Sequence, residues 1–170
     1  MKPQILFRKI HHWTSIFIAV PLVIAIGAGV LLMLKKDVDW IQPPTAGGAS
    51  AGFPAATLTA MFDAARGVDA AGIERWEDLA RVDFKPGDGI VKFVSRSRWE
   101  VQVDTTTAEV LQVAYRRSDL IESIHDGSFF AGWTKLYLFL PSGILLFVMW
   151  LTGIYLFILT RIKRGQKRRR

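Results

Sequence analysis

Three histidines, His11, His12 and His125, are the side chains best suited to metal or proton chemistry near neutral pH. An imidazole titrates in that range and offers a nitrogen lone pair. Two of them adjoin, and neighbours on a helix point about 100° apart, so His11 and His12 cannot clamp one haem between them. Histidine at a helix end is also a common hydrogen-bonding or interfacial anchor. The chain has no cysteine, which excludes disulfides, thiolate metal sites and Cys-x-x-Cys-His haem attachment. Glu77 and Asp78 are adjacent on a polar stretch and read as a solvated face. No nucleophile elbow, phosphate loop, His-Glu-x-x-His or EF-hand pattern is present. Catalysis is therefore not expected. Arg96, Arg98, Arg116 and Arg117 are read as ordinary solvated charge, the alternative being a basic strip for an acidic partner or anionic headgroups.

The elements that must position these residues follow from two apolar blocks, 13–34 and 136–160, neither holding a charged residue. Each reaches the ~20 residues a helix needs to cross a ~30 Å hydrocarbon core. Of the 170 residues, 51% are hydrophobic, which excludes a disordered basic protein, and the blocks exclude a soluble enzyme with one large core. All 15 acidic residues lie between the blocks, although the net charge is +7. The tails carry only basic charge: Lys2, Arg8 and Lys9 in front, then Arg161, Lys163, Arg164, Lys167, Arg168, Arg169 and Arg170 behind. The positive-inside rule puts both tails in the cytoplasm and the middle outside it. The first block is longer than a signal peptide's 7–15-residue core, so it is read as an anchor that stays. Trp13 and Tyr155 fall near the inner interface, and Trp40, Trp133 and Tyr137 near the outer one. The 161–170 run follows a membrane helix directly, so its partner is read as anionic lipid at the cytoplasmic face and not nucleic acid.

The expected organisation is a cytoplasmic segment 1–12, a transmembrane helix 13–35 and a linker 36–56. An external domain 57–128, a second transmembrane helix 133–160 and a basic tail 161–170 complete it. Pro21 interrupts the first helix's hydrogen bonding. Ala25 and Gly29 form a small-xxx-small pair, and Gly143 and Gly153 thin the second helix. Such faces let helices approach closely, either each other or those of a partner protein or second copy. Pro141 with Gly143 predicts a bend. Neither helix has an ionisable residue in its middle, which disfavours a transporter or pump.

In the external domain, Leu58, Met61, Phe62 and Ala65 recur as an amphipathic stripe, with Thr57 as cap and Gly67 as left-handed terminator. Trp99, Val101 and Val103 alternate with Glu100, Gln102 and Asp104, the pattern of a half-buried strand. Residues 91–95 pair with it through a 95–98 turn, and 109–113 form a third strand after a 104–108 turn. Ile73, Trp76 and Leu79 are compatible with a further short helix. A helix over 119–125, capped by Ser118, leads to the second membrane helix. The fold class is α+β: two membrane helices flanking one helix packed on a small antiparallel sheet.

Val101-Gln102-Val103-Asp104-Thr105-Thr106-Thr107-Ala108-Glu109-Val110-Leu111 resembles a PepSY module, with its V-x-V-D strand end and following turn. Arg8-Lys9-Ile10-His11-His12-Trp13 resembles the R-K-x-H-x-W start of the first helix in PepSY-associated transmembrane proteins. Ile124-His125-Asp126-Gly127 resembles their L-H-x-G segment. Ala108 stands where that turn usually has glycine, Ser15 replaces a common glycine, and the chain has two membrane helices where larger members have about four. Some larger members resemble siderophore-iron reductases that hold b-type haem through histidines. The resemblance thus makes His125 and His11 candidate haem ligands. One iron cannot join them across a ~30 Å helix, so haem b would need a dimer or partner.

The leading expectation is a non-catalytic protein of the bacterial inner membrane. Its PepSY-like domain would be periplasmic, and its role that of an accessory or stabilising subunit of a redox, photosynthetic or iron-uptake complex. The alternative is a haem-binding oxidoreductase or electron carrier. A third reading, restraint of a periplasmic peptidase, rests on the occurrence of PepSY modules in protease propeptides.

Overall fold

In lipid, an uninterrupted apolar segment must satisfy its own backbone, and a helix does so. The computed structural model describes the backbone of residues 3–52 and 54–168, and the side chains of 12–52, 54–154, 157, 158 and 161. The first block forms α1 (Pro3–Met33) and the second α4 (Leu140–Arg168). Both are long and apolar enough to span a membrane, over His12–Met33 and Lys135–Ile154. The chain divides into two units: Met1–Gly29 with Ser123–Arg170, and Val30–Glu122.

Within the first unit, α4 is preceded by a π turn, Lys135–Phe139, in which the Leu140 amide donates back to Lys135. Pro141 explains it. Its ring crowds the carbonyl of Tyr137 and it has no N–H to offer; a wider turn relieves the crowding. The expected irregularity falls here, and Ser142 Oγ donates to the Leu138 carbonyl at 2.7 Å.

In the second unit, α2 (Leu58–Arg66) forms where the stripe predicts it. Thr57 Oγ1 accepts from the Ala60 amide at 3.2 Å. Two details differ. Leu58 is exposed although it belongs to the stripe. Gly67 is right-handed (φ −66°), and the left-handed glycine is Gly72 (φ 60°), after a 3₁₀ turn over Asp69–Ala71. The region of Ile73, Trp76 and Leu79 holds a second 3₁₀ turn, Trp76–Asp78, and then a strand. The sheet is an antiparallel meander of β1 (Leu79–Lys85), β2 (Ile90–Ser95), β3 (Trp99–Asp104) and β4 (Val110–Tyr115). β1 adds a strand to the three that the sequence predicts. Register pairs Phe93 with Val101 and Val91 with Val103. These four and Met61, Phe62 and Ala65 of α2 form the core, with Trp76 stacked on Phe62 at 4.1 Å. Full burial of a side chain such as Phe93 contributes about 2–3 kcal/mol.

The other face of the sheet corrects a prediction. Alternation places Glu100, Gln102 and Asp104 in water, yet they are 0%, 0% and 2% exposed. The extended chain from Pro44 to Ser50 lies across them. Gln102 Nε2 donates to the Pro44 carbonyl and its Oε1 accepts from the Ala46 amide, each at 2.7 Å. Asp104 accepts from the Ala49 amide at 2.5 Å, and Ser50 and Thr106 hydroxyls meet at 2.8 Å. Gly48 and Gly89 allow the closest approach: a Cβ on Gly48 would collide with the Gly89 carbonyl. Ala108, which stands in place of a turn glycine, adopts the glycine geometry (φ 61°), so the turn keeps its left-handed residue.

A last helix, α3 (Arg117–His125), starts two residues earlier than expected. Ser118 is therefore inside it and does not serve as its cap. The Ser118 amide instead donates to the Ile41 carbonyl at 2.7 Å.

Candidate functional site

The segment Ile124-His125-Asp126-Gly127 is where the first unit concentrates specific contacts. His125, the last residue of α3, points Nδ1 at the Ala25 carbonyl of α1, 2.8 Å away. A carbonyl only accepts, so Nδ1 carries the proton and a neutral ring keeps its lone pair on Nε2. Ala25 lies eight residues before Met33, about 12 Å along the helix from that end. The ring fits because the next position on this face is glycine: a Cβ on Gly29 would meet His125 Cε1 at 3.2 Å and Nδ1 at 3.3 Å. The small pair Ala25 and Gly29 thus receives an imidazole of the same chain.

The next residues fix the approach to α4. Asp126 Oδ2 pairs with Lys135 Nζ at 2.6 Å, and its Oδ1 accepts from the Ser128 amide at 2.9 Å. Partial burial works against the charged carboxylate, but the bonds from Lys135 and Ser128 outweigh it and bring the pKa down to about 2. Gly127 is left-handed (φ 82°) and lies so near Phe139 that a Cβ would collide with the ring. Thr134 Oγ1 donates to the Gly127 carbonyl. Beside this joint is an apolar cavity of about 270 Å³ lined by Val20, Pro21, Ile24, Phe130, Thr134, Leu138 and Phe139.

The remaining predicted residues are placed apart. His12 is exposed, edge-on to Trp13 at 5.7 Å. Gly143 and Gly153 are exposed, and a Cβ added at either would have no neighbour within 4 Å among the described residues. Arg161 lies over the Phe157 ring at 5.1 Å. The side chains of His11, Tyr155, Lys163, Arg164, Lys167 and Arg168 lie outside the described residues, as do Lys2, Arg169 and Arg170 altogether.

In the second unit, two of the four arginines read as solvated charge, Arg116 and Arg117, are engaged within the domain. Arg116 is buried, held to Glu100 and, through Nε, to Asp119 at 3.2 Å. Burial disfavours its charge, but Glu100 and Asp119 outweigh that and hold its pKa above the usual guanidinium value. Arg117 instead covers the Trp40 ring at 4.7 Å and donates to the Trp40 carbonyl. Lys92 Nζ completes the layer, 3.3 Å from Glu100 Oε1 and 3.0 Å from Thr45 Oγ1. Sequence reasoning missed this layer, although Lys92, Glu100 and Gln102 share one face once the register is known.

No curated protein and no solved structure matches the chain. A family model described as the PepSY-associated TM region matches residues 8–170, taking in both spans, the sheet and the His125 segment. With two helices fit to span a bilayer and nearly its whole length covered, this membrane protein belongs to the PepSY-associated TM region family.

Proposed function

We propose that the chain is a non-catalytic interaction subunit of the bacterial inner membrane, accessory or stabilising to a larger redox, photosynthetic or iron-uptake assembly. Both tails face the cytoplasm, where the 161–170 run meets anionic headgroups, and residues 57–128 are displayed in the periplasm as a PepSY-like domain. The observation that carries this reading is an apolar margin on the helix-bearing face of the sheet. Val82 and Phe84 of β1 pair with core residues Phe93 and Val91, yet are 37% and 40% exposed. Leu58 and Trp76 are exposed at 48% and 45%. A domain with no unpartnered buried side-chain polar atom among its described residues otherwise satisfies itself. An apolar margin of this kind suits contact with another protein. The test is native electrophoresis and mass spectrometry of the chain extracted gently from its own membranes. A stoichiometric partner that the folded Val82→Lys/Phe84→Lys variant loses is the expected result. A lone chain in both preparations rejects the proposal.

A second reading is favoured by one observation: the His125 Nδ1–H bond to a carbonyl is the arrangement that orients an imidazole for ligation through Nε2. A haem b bound there supplies one-electron chemistry, with His11 or another group of a second copy or partner as the other ligand. A dithionite-reduced minus oxidised spectrum decides it. A sharp b-type signal lost in His125→Ala supports the haem reading, and a flat spectrum from folded protein removes it.

A further inference from the structure

The second unit carries a cleft of about 420 Å³ lined by Lys35, Lys36, Lys85, Lys92 and Arg116, with Asp83 as its one acidic wall residue. Thr45 and the Pro43–Pro44 pair, which offers no backbone N–H, close it from the strap side. Between residues 35 and 135 acidic residues outnumber basic ones, so this is a positive concavity on a net-negative stretch. Its cations fall into two sets. Lys92 and Arg116 are more than nine-tenths buried and are held by Glu100 and Asp119, so they form a fixed floor. Asp83 is engaged by Arg81 at 3.1 Å. Lys35, Lys36 and Lys85 form no ion pair among the described residues.

We propose that this cleft binds a phosphate-bearing anion, and that the anion is the headgroup of an acidic phospholipid. Two observations set the ligand class. Three uncommitted ammonium groups around a rigid cationic floor suit a compact anion, since lysine meets phosphate as a flexible point charge. The cleft also adjoins the membrane by chain connection. The same unit contains Val30–Met33, the last turn of the first span, and Lys35 follows two residues later. A headgroup at that border is in reach whichever side of the bilayer the domain faces. Basic side chains near the end of a span gain from anionic lipid.

The experiment is an amide-resolved NMR titration of the full chain in a non-ionic maltoside detergent. The added probes are short-chain phosphatidylglycerol, short-chain phosphatidylcholine and, separately, inorganic phosphate. Saturable shifts of the Thr45, Lys85 and Lys92 amides with phosphatidylglycerol and not phosphatidylcholine are expected. The Lys35→Gln/Lys36→Gln/Lys85→Gln variant should keep its dispersed spectrum and bind at least about tenfold more weakly. Equal saturation by inorganic phosphate would keep the anion site but overturn its assignment to lipid. Silence of the cleft amides, shifts confined to residues 161–168, or unchanged affinity in the triple variant would overturn the site itself.

Discussion

Glu100 lies on the covered face of β3 with Lys92 at one carboxylate oxygen and Arg116 at the other. Two cations and one anion have left water together there, and their mutual attraction must offset the desolvation of all three. Glu100→Gln removes the anion and leaves both cations buried. A loss of about 3–5 kcal/mol is expected, read by denaturant unfolding of the full chain in detergent. The triple replacement Lys92→Met/Glu100→Leu/Arg116→Met removes these three buried charges at once, leaves Asp119 with Arg81, and should recover most of that loss. If the single and triple variants are equally unstable, the layer acts through packing and not charge. The same reasoning separates Glu100 from Asp126, whose partner Lys135 is 56% exposed and whose pair is correspondingly screened.

At the scale of the element, the strap from Pro44 to Ser50 depends on Asp104. Burial raises the Asp104 pKa, but amides of Ala49, Thr107 and Thr106 outweigh it and leave the carboxyl below its ordinary 3.8. A carboxyl depressed on folding adds stability above its unfolded value and loses it as pH falls through the folded one. Hydrogen-exchange protection of residues 46–50 should therefore hold from pH 7 to about 4 and fall below that. Protection unchanged at pH 2.5 would remove Asp104 as the fastening. The strap also marks the limit of what is legible in the sequence. Met61, Phe62, Ala65, Val101 and Val103 are readable as core because helix and strand periodicities are local properties of sequence. Glu100, Gln102 and Asp104 look solvated by the same rule. Their cover comes from a Pro/Gly-rich stretch more than fifty residues earlier, and periodicity is blind to such a partner. His125 is legible as a residue of interest from its motif, but its Ala25 acceptor is a backbone atom and leaves no mark in composition.

At the scale of the whole molecule, orientation in the bilayer is the property on which the proposed function turns. The absence of cysteine makes it directly measurable. Gly87 is exposed and nothing among the described residues lies within 4 Å of an added Cβ, so Gly87→Cys introduces a reporter without disturbing the fold. A membrane-impermeant maleimide should label Gly87→Cys in cells whose outer membrane alone has been opened. Gln166→Cys in the basic tail should react only after the inner membrane is breached. The reverse pattern would turn the chain over and move the displayed domain to the cytoplasm.

The strap has a consequence for the order in which the domain can be completed. Ala46 and Gln102 are 56 positions apart, and the earlier residue is synthesised first. At ~5–20 residues per second, roughly 3–11 s pass before the strand that receives the strap has been made. Through that interval the strap has nothing to lie on, and the sheet must assemble before it can dock. Its contacts are therefore expected to form last in folding and to break first in opening. Substitutions such as Gly48→Ala should speed unfolding while leaving the refolding rate nearly unchanged.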